Sequence, residues 1–255
     1  MAISPENIIS RRLRLPSCCM LGLVLAINGV ARAGMQQDAW NDAIRKSDIE
    51  TLQRLVSTDI DVNSGTDQGK TALMLAAAKG ELPLMERLVA LGAEVNQLNK
   101  GGGTALMYTA QYGHTQAAKL LISKGAEVNI QGANGWSALM IAVLKNHEGV
   151  ADLLLAHGAD PNARDVQGWT PLMRAASGGG TGLVRRLLDA PGVDVNAQNQ
   201  LGTTALHIAA AAGHLPVAKL LVERGASIAL KDAAGNTASM LAEQNNHKAV
   251  ADILR

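Results

Sequence analysis

From residue 66 onward the polar and apolar positions follow a fixed cadence. A run of small and apolar residues, a glycine, an amphipathic stretch, a second glycine and a short polar segment succeed one another, then repeat. In TDQGKTALMLAAAKGELPLMERLVALGAEVN (66–96) each step has a physical reading. Gly69 supplies the freedom for a turn, and Thr71 is placed to cap a short helix in which Ala72, Ala76 and Ala77 allow close approach of neighbours. Gly80 ends that helix. Pro83 stands where a second helix begins, Leu84, Leu88 and Val89 form its apolar stripe, and Gly92 stops it in the left-handed conformation before an extended GAEVN segment. The predicted unit is helix, turn, helix, finger.

The unit recurs. Its capping position falls at Thr71, Thr104, Ser137, Thr170, Thr204 and Thr237, spaced by 33, 33, 33, 34 and 33 residues, with glycine two places before each. A period in the range of ~20–50 residues means stacked units, none of which buries its apolar face alone. Leu55, Leu88, Leu121, Leu154, Leu188, Leu221 and Leu254 fall on one core register if the single extra residue of the fifth unit lies in its glycine-rich loop, Ser177–Gly182. The register also extends the array forward, where Trp40 aligns with Leu73 and Leu106 as a packing residue. The expected organisation is a leader, 1–33, and an N-terminal capping repeat, 34–66. Repeats follow at 67–98, 99–131, 132–164, 165–198 (with the insertion) and 199–231, and a C-terminal cap at 232–255 closes the array.

The phrases TALM (71–74, 104–107), TPLM (170–173) and TALH (204–207) carry a resemblance. So do the pairs Gly113-His114 and Gly213-His214, and GAEVN (92–96, 125–129), GADPN (158–162) and VDVN (193–196). On these the chain resembles the ankyrin-repeat proteins over nearly all of 34–255. The resemblance implies an all-α repeat solenoid, a curved stack of helix-turn-helix units with β-hairpin fingers, and protein binding rather than catalysis. One departure is the histidine of the TPLH phrase, kept only at His207; Met74, Met107, Met140, Met173 and Met240 replace it, exchanging a polar tie for apolar filling.

The first 33 residues differ in character. Arg11, Arg12 and Arg14 precede an apolar run of ten, Cys18 to Ile27, and Ala31-Arg32-Ala33 offers a small-x-small cleavage site. As a helix that run reaches only ~15 Å against a hydrocarbon core of ~30 Å, so the expectation is a cleaved export signal rather than an anchor. Both cysteines, Cys18 and Cys19, fall within it, which leaves the mature chain without disulfides, thiolate metal sites or a cysteine nucleophile. Removing its four Arg and one Glu takes the formal charge from +1 to −2. No Asn-x-Ser/Thr site occurs, which favours a bacterial periplasm over a eukaryotic secretory route. The expected location is therefore periplasmic or secreted; action of a secreted form on a host protein is the alternative.

Candidate chemistry is sparse. His114, His147, His214 and His247 share one slot of the repeat, and neighbours stacked ~10 Å apart do not converge on an ion bound at ~2 Å. His147-Glu148 lacks the second histidine of a zinc-protease helix, Gly135-Trp136-Ser137 lacks the closing glycine of a nucleophile elbow, and the Gly178–Gly182 run has no Gly-Lys-Ser/Thr ending. No catalytic residue, cofactor or metal is expected, and an enzyme or metal-binding protein built on the array is the weaker alternative. Acids and bases alternate through each unit, so no stripe for nucleic acid is apparent, and a monomer is expected.

The aromatic residues are more informative. The slot between glycine and the cap holds Lys70, Gly103, Trp136, Trp169, Thr203 and Asn236, so it does not demand bulk for packing. In the ankyrin pattern this slot lies on the finger, facing the concave side, so the resemblance implies that Trp136 and Trp169, one repeat apart, lie side by side there, with Tyr112 and Tyr108 beside them and Arg174 and Lys145 framing them. Exposed aromatic patches mark interaction sites, and Trp and Arg tend to dominate binding energy. The competing reading makes each indole a lid lying flat on its neighbouring finger.

Overall fold

A computed structural model describes residues 34–255, and the leader assigned to 1–33 lies outside the described residues. The chain forms helix pairs. The first unit is α1 (34–46) and α2 (Ile49–Leu55), followed by α3 (Ala72–Lys79) and α4 (Leu82–Ala90), then α5 (Ala105–Tyr112) and α6 (Thr115–Ser123). Next come α7 (Ala138–Leu144) with α8 (Glu148–Ala156) and α9 (Pro171–Gly178) with α10 (Thr181–Leu188). The array ends with α11 (Ala205–Ala211), α12 (Leu215–Glu223), α13 (Ala238–Gln244) and α14 (Lys248–Ile253). First helices stack on first helices, α3 through α13, and second helices on second helices, α4 through α14, giving two layers with the core between them. Among the described residues no helix is long and apolar enough to cross a membrane.

The expected caps are in place. The hydroxyls of Thr71, Thr104, Ser137, Thr170, Thr204 and Thr237 each accept the backbone N–H three residues on. Those third residues are the Met file and His207. Met74, Met107, Met140 and Met173 are buried, as filling requires, whereas Met240, on the last described first helix, is 48% exposed. His207 keeps the polar tie: its Nδ1 meets Thr204 and its Nε2 lies 3.1 Å from the Asn236 carbonyl in the next finger. Trp40 is fully buried, in the core role its register indicates.

One expectation needs correction. The extra residue of the fifth unit is not in Ser177–Gly182. Gly179 holds the same left-handed helix-ending position as Gly80 and Gly113, at an uninterrupted interval, and the buried residues of α10, Leu183, Val184 and Leu187, repeat Val150, Ala151 and Leu154 of α8. The spacing lengthens only after Leu187, because the next left-handed glycine is Gly192; the insertion is absorbed around Asp189-Ala190-Pro191. Leu187, not Leu188, therefore carries the core register. The fingers are short hairpins closed by tight turns, with isolated antiparallel bridges at Gly65 and Thr71 and at Gln131 and Ser137. Their tips are joined from unit to unit by single backbone bonds, such as Ala133 N–H to Gly101 and Val166 N–H to Asn134.

Neighbouring units are held by side chains at repeating positions. The asparagine closing each GAEVN-type segment reaches the loop of the next unit: Asn129 Nδ2 donates to the Gly158 carbonyl at 2.9 Å while its Oδ1 accepts from Asp160 N–H at 2.9 Å. Asn63, Asn96, Asn162 and Asn196 make the same paired contacts. The histidines that open second helices reach the other way: Nε2 of His114, His147 and His214 lies 3.1, 3.3 and 3.2 Å from carbonyls of the preceding first helix. Among the described residues, no group of three His, Cys, Asp or Glu side chains converges as a metal site would require.

Candidate functional site

The fourth position of each first helix faces the fingers, and there the units differ: Leu75, Tyr108, Ile141, Arg174, Ile208 and Leu241. Arg174, from α9, rises between the two indoles. Its guanidinium lies 5.1 Å from the Trp136 ring centre and 4.4 Å from that of Trp169, within cation–π range of both. Asp165 fixes the arrangement from below. It accepts the backbone N–H groups of Gln167 and Trp169, both at 2.9 Å, which clamps the finger carrying Trp169, and its other oxygen pairs with Arg174 at 2.5 Å. Asp165 is buried and only 18% of the Arg174 side chain is exposed.

The pair is thus joined, but by a shared cation rather than by direct apolar contact, and the two rings are not equivalent. Trp169 is half-buried and packs against the core cluster. Trp136 is half-buried as well, yet it lines an open groove of about 400 Å³ together with Tyr108, Tyr112, Gln111, Asn134 and Ile141. The groove exists because side chains are missing. Gly103 occupies the slot where adjoining units carry Lys70 and Trp136, and Gly101 and Gly132 complete a bare floor.

Tyr112 is 54% exposed at the end of α5 and stacks near the His114 ring, with centroids 6.4 Å apart. Tyr108 is half-buried, its hydroxyl accepting from Asn99 Nδ2 at 3.0 Å and its face covered by Lys70 Nζ at 5.8 Å. Burial, with a smaller effect from nearby Lys79, holds the Lys70 ammonium below the ordinary lysine value. Of the residues singled out in the sequence, Trp136, Tyr108 and Tyr112 share one groove, and Trp169 and Arg174 adjoin it. Lys145 is not brought to the indoles: it follows the C-terminal end of α7, whereas Trp136 precedes the N-terminal end, and it holds the register of Lys79 and Tyr112 in the units before.

Pattern reading missed three participants. Asp165 reads as an ordinary finger residue and gains its part only through contact with Arg174. The glycines 101, 103 and 132 read as turn formers, although their effect is to empty a space. Lys70 shares its slot with the indoles, and that shared slot was the available signal.

The family comparison now joins the geometry. A family model for ankyrin repeats, three copies long, matches residues 40–132, 73–165, 125–199 and 172–255, which together span the described chain almost completely. The chain belongs to the ankyrin-repeat family. Ankyrin repeats are in general protein-binding scaffolds rather than catalysts. Among the solved structures that it resembles is the crystal structure of the ankyrin repeat domain of Bcl-3, described as a unique member of the IkappaB protein family. The likeness has a TM-score of 0.74 at 29% identity, covering 85% of this chain and 97% of that one. Among curated proteins no sequence relative was found.

Proposed function

We propose that this ankyrin array is an exported, non-catalytic scaffold that grips a protein partner along the finger face of its third to fifth units. The observation that carries the reading is the open groove at Trp136, bounded by three aromatic rings on an otherwise regular stack. Trp136, unlike Trp169, is not packed against the core cluster, and aromatic residues in such hollows supply anchoring points for a partner.

Photo-crosslinking from position 136 in intact cells, followed by identification of the captured protein, tests the reading. With that partner in hand, Trp136→Ala is expected to weaken binding by roughly 2 kcal/mol while leaving helical signal and melting nearly unchanged. Loss of stability with unaltered capture would assign the ring to packing instead. Export is supported by the n-region, apolar run and cleavage site at 31–33. N-terminal sequencing of the protein recovered from the periplasm is expected to begin at Gly34; an intact Met1 in the cytoplasm would remove that part of the reading.

A further inference from the structure

The acids are unevenly distributed among the helices. The first helices α3, α5, α7, α9 and α11 contain no Asp or Glu, and they carry or lead into Lys79, Arg174 and Lys145. Acids are carried by the second helices and their loops, at Glu81, Glu86, Glu94, Glu127, Glu148 and Asp152 among others, and on the fingers by Asp67, Asp165 and Asp232. On the fingers beside the groove are Lys70, whose ammonium lies over the Tyr108 ring, and Lys100, and Lys79 ends α3 in the register that Tyr112 holds in the next unit. Among the described residues none of these lysines has a carboxylate within ion-pair distance; Asp165, the buried acid of this face, is already committed to Arg174. Around the apolar hollow, Lys70, Lys79 and Lys100 stand against one exposed finger acid, Asp67, which leaves a net positive rim although the chain from residue 34 on is slightly acidic.

We infer that the groove takes an acidic peptide segment of the partner. One apolar or aromatic side chain sits on the glycine floor between Tyr112 and Trp136, and flanking carboxylates lie over Lys70, Lys79 and Lys100. The inference rests on the scaffold reading above and adds the chemistry of the bound segment. A volume of about 400 Å³ is near the low end of the ~300–1,000 Å³ typical of ligand sites and suits one or two side chains. The side-chain amides of Gln111 and Asn134 also line the groove, and such groups pair with peptide N–H and C=O. A nucleic-acid strand fits less well. Lysine point charges match separate carboxylates, whereas the guanidinium that would fork onto a phosphate, that of Arg174, is already paired.

The test is selection from a library of random short peptides displayed against the purified protein. A labelled synthetic copy of the recovered consensus is then titrated by fluorescence anisotropy. The expected consensus has Asp or Glu on both sides of one apolar residue. The double variant K70E/K79E should weaken binding roughly tenfold, since attraction becomes repulsion at the rim. K119E/K219E changes net charge equally, on the second helices, and should leave affinity within about twofold. Circular dichroism confirms that both variants are folded. Neutral or basic peptides, equal loss in the two variants, no recovered peptide, or stronger competition by oligothymidylate than by the consensus would each overturn the inference. Non-acidic peptides whose binding still depends on Trp136 would overturn the charge assignment alone. Peptides indifferent to Trp136→Ala would bring down the scaffold reading with it.

Discussion

Arg174 shows how much one substitution within a repeat can organise. Its position holds Tyr108 and Ile141 in the preceding units, both able to rest on neighbouring fingers without a counter-charge. An arginine there needs an anion, and Asp165 supplies it while also closing its own finger by accepting two backbone N–H groups. In the third and sixth units Asn99 and Asn199 close their fingers in the same way, accepting from Gly101 and Gly103 and from Leu201 and Thr203, and Asn99 also donates to the Tyr108 hydroxyl, with no charge involved. Asp165→Asn therefore keeps one function and loses the other. It is expected to destabilise the protein by about 1–2 kcal/mol, less than Asp165→Ala, and to loosen the Arg174 sandwich. Denaturant unfolding gives the first, and a change in tryptophan emission reports the second. Equal effects of the two substitutions would mean that finger closure contributes nothing.

Within a helix pair, the residue that ends the first helix is coupled to the one that opens the second helix of the next unit. The left-handed position is filled by Ser47, Gly80, Gly113, Asn146, Gly179, Gly213 and Asn246. Wherever glycine stands there, the following unit places a histidine ring on it: a Cβ built on Gly113 would meet His147 Nδ1 at 2.6 Å, and one on Gly213 would meet His247 Nδ1 at 2.5 Å. Where Asn146 stands, the following unit has Gly180 in place of histidine, and the space is free. Gly113→Ala should cost more than 1 kcal/mol, through left-handed strain and collision with an imidazole held to the Gln111 carbonyl. Asn146→Gly should be nearly neutral. Thermal melting of the two single variants decides the matter, and comparable losses would refute the coupling. The sequence displayed this slot as Gly-His pairs and gave a sufficient account of their spacing. It did not display that the histidine packs on the glycine of the previous unit, because that contact joins residues 34 apart, such as Gly80 and His114.

Across the whole array, cohesion passes from each unit to the next, so the ends have neighbours on one side only and should open first. Two terminal carboxylates make that opening acid-sensitive. Asp48 caps α2 by accepting Thr51 N–H, and Asp232 closes the last finger by accepting Asn236 N–H. These bonds to the charged form, Thr51 and Asn236 being the main causes, hold both carboxyls below the ordinary value of 3.8. A depressed carboxylate stabilises the folded state fully above its unfolded pKa, and that contribution disappears as pH falls through the folded value. Amide exchange in α2 and in the finger of Asp232 should therefore accelerate below pH 3.8 before α5 to α9 respond. Uniform acceleration along the chain would contradict unit-by-unit cohesion.

The period, the capping residues, the two-helix unit and the membership of Trp40 in the core were all legible along the chain, because each depends on residues a few places apart or on one interval repeated. The placement of the extra residue was not. A count between Thr170 and Thr204 fixes how many residues intervene, but only the continued burial of Leu183, Val184 and Leu187 shows that α10 keeps its register and the turn after it gives way. The same limit applies to the groove. Composition reports acids and bases mixed through every unit, and glycines at 101, 103 and 132 as turn formers. Stacking brings the first helices, which from α3 to α11 lack acids, together on one side and sets the bare glycines against Trp136, since neighbours in an array of this kind are one repeat apart in the chain.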